Sequence, residues 1–265
     1  MAERFALPPG ARMWDGNLRV GKRTLEWTRV LPANPHTTVV MAPGIVAKRR
    51  VYATFANELA RLGYETISTA HADAVGCYPD EVAAALDAVQ SSVFIERATD
   101  QIVGYGHSKG GANMVLAVHD DMTRTDKLVL QSPAGFGGVQ VLRAVDSVAR
   151  ELRHMSGQAL KIGEEAAGYI VRNLPAMGKL AIDAATVRVG AEASELLDQG
   201  MSLSAIETKD DGLVNPRQLR RVLEGIGVRI VPVEAPYVGH NAQIYHPHLV
   251  AAAFDEALQG ERQAA

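Results

Sequence analysis

The sequence predicts an α/β protein, a mostly parallel sheet with helices on both faces. Short β-branched runs alternate with segments of helical periodicity along most of the chain. A serine set among glycines, in Gly106-His107-Ser108-Lys109-Gly110, stands where one apolar run gives way to a helical stretch. The chain has 265 residues, 47% hydrophobic and 22% charged, an ordinary globular mix that supplies a sizeable core for one α/β domain.

Taken in order, the runs 17–20 and 24–31 flank Gly21-Lys22 and read as an antiparallel hairpin. The run 37–44 is a short strand ending at Pro43-Gly44, and Phe55, Leu59 and Leu62 then recur at helical spacing until Gly63. Residues 64–74 form a third strand candidate, and Pro79 opens a helix with Val82, Leu86, Val89 and Val93 on one face. The run 100–106 is the strand before the serine, 112–119 the helix after it, and 126–135 holds the next strand. From 138 to 200 the texture changes to helices, with Leu142, Val145, Ala149, Leu152 and Met155 at three- and four-residue steps and several glycines and prolines between them. Strands resume at 202–208 and 228–236, and 246–258 closes as a helix. The expected organisation is a core of residues 1–137 and 201–265 with a helical insertion, 138–200.

The formal charge is −3, with lysines and arginines scattered rather than striped, so no nucleic-acid partner is expected. No segment approaches the roughly 20 apolar residues of a membrane span, and the opening residues lack the apolar core of a secretory signal. The one cysteine, Cys77, allows no internal disulfide and fits a reducing, cytoplasmic setting. Composition leaves the oligomeric state open.

A serine hydroxyl is a weak nucleophile that needs a base, a group to orient the base, and donors for the oxyanion. A Gly-x-Ser-x-Gly turn between strand and helix meets the steric side of that need: small neighbours permit a strained turn that lifts Oγ above the sheet edge. The helix N-terminus adds partial positive charge there, and the backbone N–H of Lys109 is placed as one oxyanion donor. Nucleotide-binding loops fail in detail. Gly-x-Gly-x-x-Gly requires glycine where Lys109 stands, and a P-loop requires lysine where Ala112 stands. Among eight histidines, His36, His71, His107 and His119 precede or adjoin the serine and His154 lies in the helical block. His246 and His248 flank Pro247 without a matching set of metal ligands. No metal or other cofactor is expected.

On these residues the chain resembles the α/β-hydrolase family over nearly its whole length, with Gly106-His107-Ser108-Lys109-Gly110 as the nucleophile elbow. The family order of nucleophile, acid and histidine implies an acid in the segment Glu207–Pro216 and His240 as base. Asp210 and Asp211 both stand there, and the family spacing to a following apolar residue and proline favours Asp211. The resemblance implies a second oxyanion donor after Pro43-Gly44, at the N–H of Ile45, where the family often carries His-Gly and this chain does not. It also implies that 138–200 is a cap shaping the substrate pocket, with Gly44, His107, Leu142, Leu152 and Met155 as substrate-binding candidates. Seven Lys/Arg against eight Asp/Glu between Val139 and Gln199 select no strongly charged substrate. The implied activity is hydrolysis of a carboxylic ester of a small or medium, largely apolar molecule through an acyl-enzyme. Thioester, lactone and carbon–carbon cleavage, perhydrolysis or acyl transfer, and a non-catalytic ligand-binding protein stay open beside it.

Overall fold

The computed structural model describes residues 7–44, 51–71, 78–91, 98–137, 144–154, 168, 182–235 and 237–260. Eight strands form one sheet: β1 (Arg12–Val20), β2 (Arg23–Leu31), β3 (Thr37–Ala42), β4 (Tyr64–His71), β5 (Ile102–His107), β6 (Lys127–Gln131), β7 (Ser202–Thr208) and β8 (Arg229–Val233). Their order in space is β1-β2-β4-β3-β5-β6-β7-β8. The first two junctions are antiparallel and the rest parallel. Val20 pairs with Arg23, so Gly21-Lys22 is a two-residue hairpin turn, and Gly21 supplies the positive φ (58°) that such turns use.

The helices between strands are α1 (Ala53–Arg61), α2 (Pro79–Gln90), α3 (Lys109–Asp120), α4 (Ala144–His154), α5 (Gly190–Asp198) and α6 (Pro216–Gly225), and α7 (Ala242–Tyr245) and α8 (Pro247–Gln259) follow the last strand. They cover both faces, and each face has its own core. On one side Phe55, Ala56, Leu59, Val250 and Phe254 of α1 and α8 pack against Val39, Met41, Val103 and Tyr105. On the other, Val82, Leu86, Val115, Leu196 and Leu219 of α2, α3, α5 and α6 pack against Val40, Leu128 and Leu203. Burial of each such side chain stabilises the fold by about 1.5–3 kcal/mol. Strands β3 and β5 are buried along their whole length, which explains why they read as unbroken apolar runs and not as alternating ones.

β6 and β7 are neighbours in the sheet, yet 70 residues separate them, and the regular structure among those described is helical: α4, residues 182–186 and α5. Leu142 and Met155 lie outside the described residues, and so does the side chain of Leu152. Ile45 and Val93 lie outside them too.

Candidate active site

The parallel strands run the same way, so the segments leaving β3, β5, β7 and β8 gather at one edge of the sheet, where α/β proteins carry their sites. Ser108 stands between β5 and α3 with φ 54° and ψ −125°, a region costly for any residue with a Cβ. Its neighbours explain how the turn closes. A Cβ on Gly106 would sit 2.5 Å from Gly111 Cα, and one on Gly110 would collide with the carbonyls of Ala42 and Pro43. The glycines of the sequence motif are therefore places where helix α3 presses its backbone against β5 and the end of β3. Ser108 is itself the residue before the first helical turn, so the N–H of Lys109 has no intrahelical acceptor.

Asp211 leaves the end of β7 and His240 follows β8. Asp211 Oδ2 lies 2.8 Å from His240 Nδ1, and both side chains are buried, at 2% and 5% exposure. The other carboxylate oxygen accepts the N–H groups of Leu213 (2.8 Å) and Val214 (2.9 Å). Burial works against charge on Asp211, yet His240 and these two donors hold its carboxyl below the usual range. Burial likewise opposes a charged His240, but Asp211 and, behind it, Glu151 raise the imidazole above the ordinary histidine value. Because Nδ1–H donates to Asp211, the tautomer leaves Nε2 as a lone pair. Asp210 turns elsewhere: its N–H reaches the Val238 carbonyl (3.0 Å) and its Oδ2 accepts the Val238 N–H (3.1 Å), stitching the two loops together.

His107 joins the serine to the histidine loop. Its Nε2 donates to the carbonyl of His240 at 2.9 Å, and the two rings lie 4.7 Å apart between centroids. Nδ1 is then an acceptor, taking the Tyr52 hydroxyl at 2.7 Å and the Gln243 amide at 3.3 Å. Tyr52 Oη in turn accepts the N–H of Gly44 at 3.1 Å. Gln243 continues to Gln131 (2.7 Å) and on to the Tyr105 hydroxyl, so a buried polar chain runs from the sheet to the loop edge. Burial first, and then the neighbouring His240, lower His107 to about 3, which keeps it a neutral scaffold group.

The structure brings Ser108, Lys109, Gly44, His107, Asp211 and His240 to one edge. A Cβ on Gly44 would lie 3.1 Å from both His107 Nδ1 and Ser108 Cβ. Ser108 Oγ and His240 Nε2 are not hydrogen-bonded to each other. The Lys109 ammonium is nearly buried, 3.9 Å from Asp183 and 5.4 Å from the Tyr78 ring centre. Three participants have no mark in the sequence. Tyr52 and Gln243 hold His107, and Glu151 of α4 accepts the N–H of His240 at 2.6 Å. Among the described residues no group of three metal-ligating side chains occurs, and no helix is long and apolar enough to cross a membrane.

No protein-family model matches the chain, and no curated protein matches its sequence. Solved structures do. A bacterial membrane phospholipase A, a virulence factor, superposes with a TM-score of 0.69 at 14% identity, over 94% of this chain and 87% of that one. The N-formylmaleamic acid deformylase of Pseudomonas putida S16 gives 0.66 at 13%, over 91% and 100%. The thioesterase domain of the curacin biosynthetic pathway gives 0.59 at 15%, over 91% and 98%. With its mostly parallel sheet, its two helical layers and its serine turn after β5, the chain has the α/β-hydrolase fold.

Proposed function

We propose that the protein is a serine hydrolase that cleaves a carboxylic ester of a small or medium, largely apolar substrate. The observation that carries this reading is the buried Asp211–His240 pair, 2.8 Å apart, on the loops beside a serine held at φ 54°. Ser108 Oγ attacks the ester carbonyl while His240 Nε2 takes its proton, and the N–H groups of Lys109 and Ile45 receive the oxyanion. Collapse of the tetrahedral intermediate expels the alcohol, which takes the proton from His240 and leaves an acyl-serine. Water, deprotonated by the same imidazole, then releases the acid. Asp211 keeps the imidazole in the working tautomer and stabilises its cation.

The folds this chain shares are those of a phospholipase, a deformylase and a thioesterase. A phospholipase, a deformylase and a thioesterase are all hydrolytic by name, which supports a hydrolase reading for this chain. The proposal extends to residues 138–200 as the cap, with Leu142, Leu152 and Met155 as candidates for binding the acyl group. Each buried methylene then adds up to ~0.8 kcal/mol, about fourfold in affinity. The test is turnover of p-nitrophenyl esters of graded acyl length, beside acyl-CoA thioesters, by wild type and Ser108→Ala. Rates that climb with chain length to an optimum, and that vanish in the variant, support the reading. Ester turnover by Ser108→Ala at the wild-type rate overturns it.

A further inference from the structure

The loop that carries His240 belongs to no strand or helix, since β8 ends at Val233 and α7 begins at Ala242. Its buried N–H groups therefore need acceptors from elsewhere. One acceptor is the carboxylate of Glu151, which reaches in from α4 and is 2% exposed. Oε1 accepts the N–H of His240 at 2.6 Å and that of Asn241 at 3.4 Å, while Oε2 accepts the Asn241 side-chain amide at 2.7 Å. Burial pushes the Glu151 carboxyl above its ordinary value, while His240 and the donors on its two oxygens work the other way and favour the ionised form, which bonds more strongly than a neutral acceptor. Gly239 makes the approach possible. A Cβ there would fall 2.8 Å from Glu151 Oε1, 2.6 Å from Tyr245 Oη and 2.8 Å from Tyr237 Oη. Tyr245 Oη adds a further tie by accepting the Gly239 N–H at 2.6 Å.

A single imidazole thus has two buried carboxylates around it. Asp211 holds the ring at Nδ1, and Glu151, on α4, accepts the backbone N–H. A buried charge is costly unless paired or hydrogen-bonded, and among the described residues the hydrogen bonds of Glu151 go to His240 and Asn241. We propose that Glu151 is a positioning residue for the histidine base: it fixes the loop backbone, so that the imidazole is set only while α4 lies against that loop. This rests on the reading of His240 as the base of Ser108. Among the described residues, the titratable groups that face Glu151 are His240, Asp211, Tyr237 and Tyr245, with Arg150 and Asp210 beyond Tyr237; the His107 ring centre lies 4.7 Å from that of His240.

The experiment is the rate of Ser108 labelling by a fluorophosphonate, followed against pH in wild type, Glu151→Ala and Glu151→Gln. In that step the serine oxygen forms a bond to phosphorus, fluoride leaves, and His240 takes the hydroxyl proton. Glu151→Ala frees the loop, and labelling is expected to slow by up to about a hundredfold, the scale of a base displaced by an ångström. Glu151→Gln still accepts the two backbone N–H groups and keeps most of the plateau rate. Its pH limb moves to lower pH, because one negative charge beside the imidazole is gone. A purely structural contact would lower the melting temperature and leave that limb in place. Wild-type labelling with both variants matching it in rate and limb overturns the role of Glu151. If Glu151→Ala does not fold, the limb of Glu151→Gln decides, and an unmoved limb overturns it. Failure of the wild type to label at all removes the serine-hydrolase reading itself.

Discussion

Asp211 Oδ2 and His240 Nδ1 stand 2.8 Å apart, while Asp210, one residue earlier, spends its carboxylate on the Val238 backbone. Two adjacent acids thus have separate tasks, one toward the ring and one toward the loop. Asp211→Asn presents an amide to Nδ1 and favours the wrong tautomer, and it is expected to cut kcat by about two orders of magnitude or more. Asp210→Asn keeps an acceptor for the Val238 N–H and should lose much less. Measured side by side on one ester, the reverse ranking would move the orienting role to Asp210.

The pH profile follows from the same pair. Burial disfavours the imidazolium, but Asp211 and Glu151 outweigh it and raise His240 above the usual histidine value. The base works only when neutral, so activity is lost as pH falls through that raised value and recovers above it. The limb should therefore lie to the alkaline side of 6.5, the value of a free histidine. Asp211→Asn removes the main charge that raises it, so the residual activity of that variant should show its limb at lower pH. A limb at the same pH in both proteins would assign it to another group. His107, lowered to about 3, lies too far toward acid to produce it.

Much of this fold is legible because its determinants are local. Unbroken apolar runs mark β3 and β5 as strands buried on both faces, and the glycines around Ser108 mark the tight passage from β5 into α3. The resemblance to the α/β-hydrolases then implies His240 as base and one of two adjacent acids beside it. The helix α6 is legible too, because Asn215 caps it, Pro216 opens it, and Leu219, Val222 and Leu223 fall at three- and four-residue steps. Glu151 is silent. It sits in a helix with Asp146, Arg150 and Arg153 as a charge among charges, and its partner His240 lies 89 positions away. Tyr52 and His107 are 55 positions apart. Only packing brings such groups together, and periodicity says nothing about it.

The backbone at Ser108 gives a stability prediction independent of substrate. At φ 54° and ψ −125° a Cβ is crowded by the neighbouring peptide groups, at a cost on the order of 1–3 kcal/mol. Ser108→Ala keeps the Cβ and hence the strain. Ser108→Gly releases it, although the looser unfolded chain offsets part of the gain by roughly 0.4–1 kcal/mol. Both variants should lose fluorophosphonate labelling, and the glycine variant should melt at the higher temperature. Equal melting temperatures would mean that the turn carries no strain.

His107 makes a different prediction, on stability against pH. Its ring is held neutral in the fold, with a value lowered to about 3 by burial and by the nearby His240, whereas in the unfolded chain it titrates near 6.5. Between those two values the unfolded state binds a proton that the native state does not. Stability therefore falls as pH drops through this window, by up to ~1.4 kcal/mol per pH unit for one proton. A glutamine at this position cannot titrate, yet its amide reaches toward the carbonyl of His240 much as Nε2 does. Urea unfolding of wild type and His107→Gln at pH 7 and pH 5 isolates the effect, because every other group titrates alike in both proteins. The variant should lose less stability than the wild type on acidification, whatever its stability at pH 7. Parallel losses in the two proteins would show that His107 takes up its proton in the native state, and the network from Gly44 through Tyr52 to His240 would need the opposite donor order.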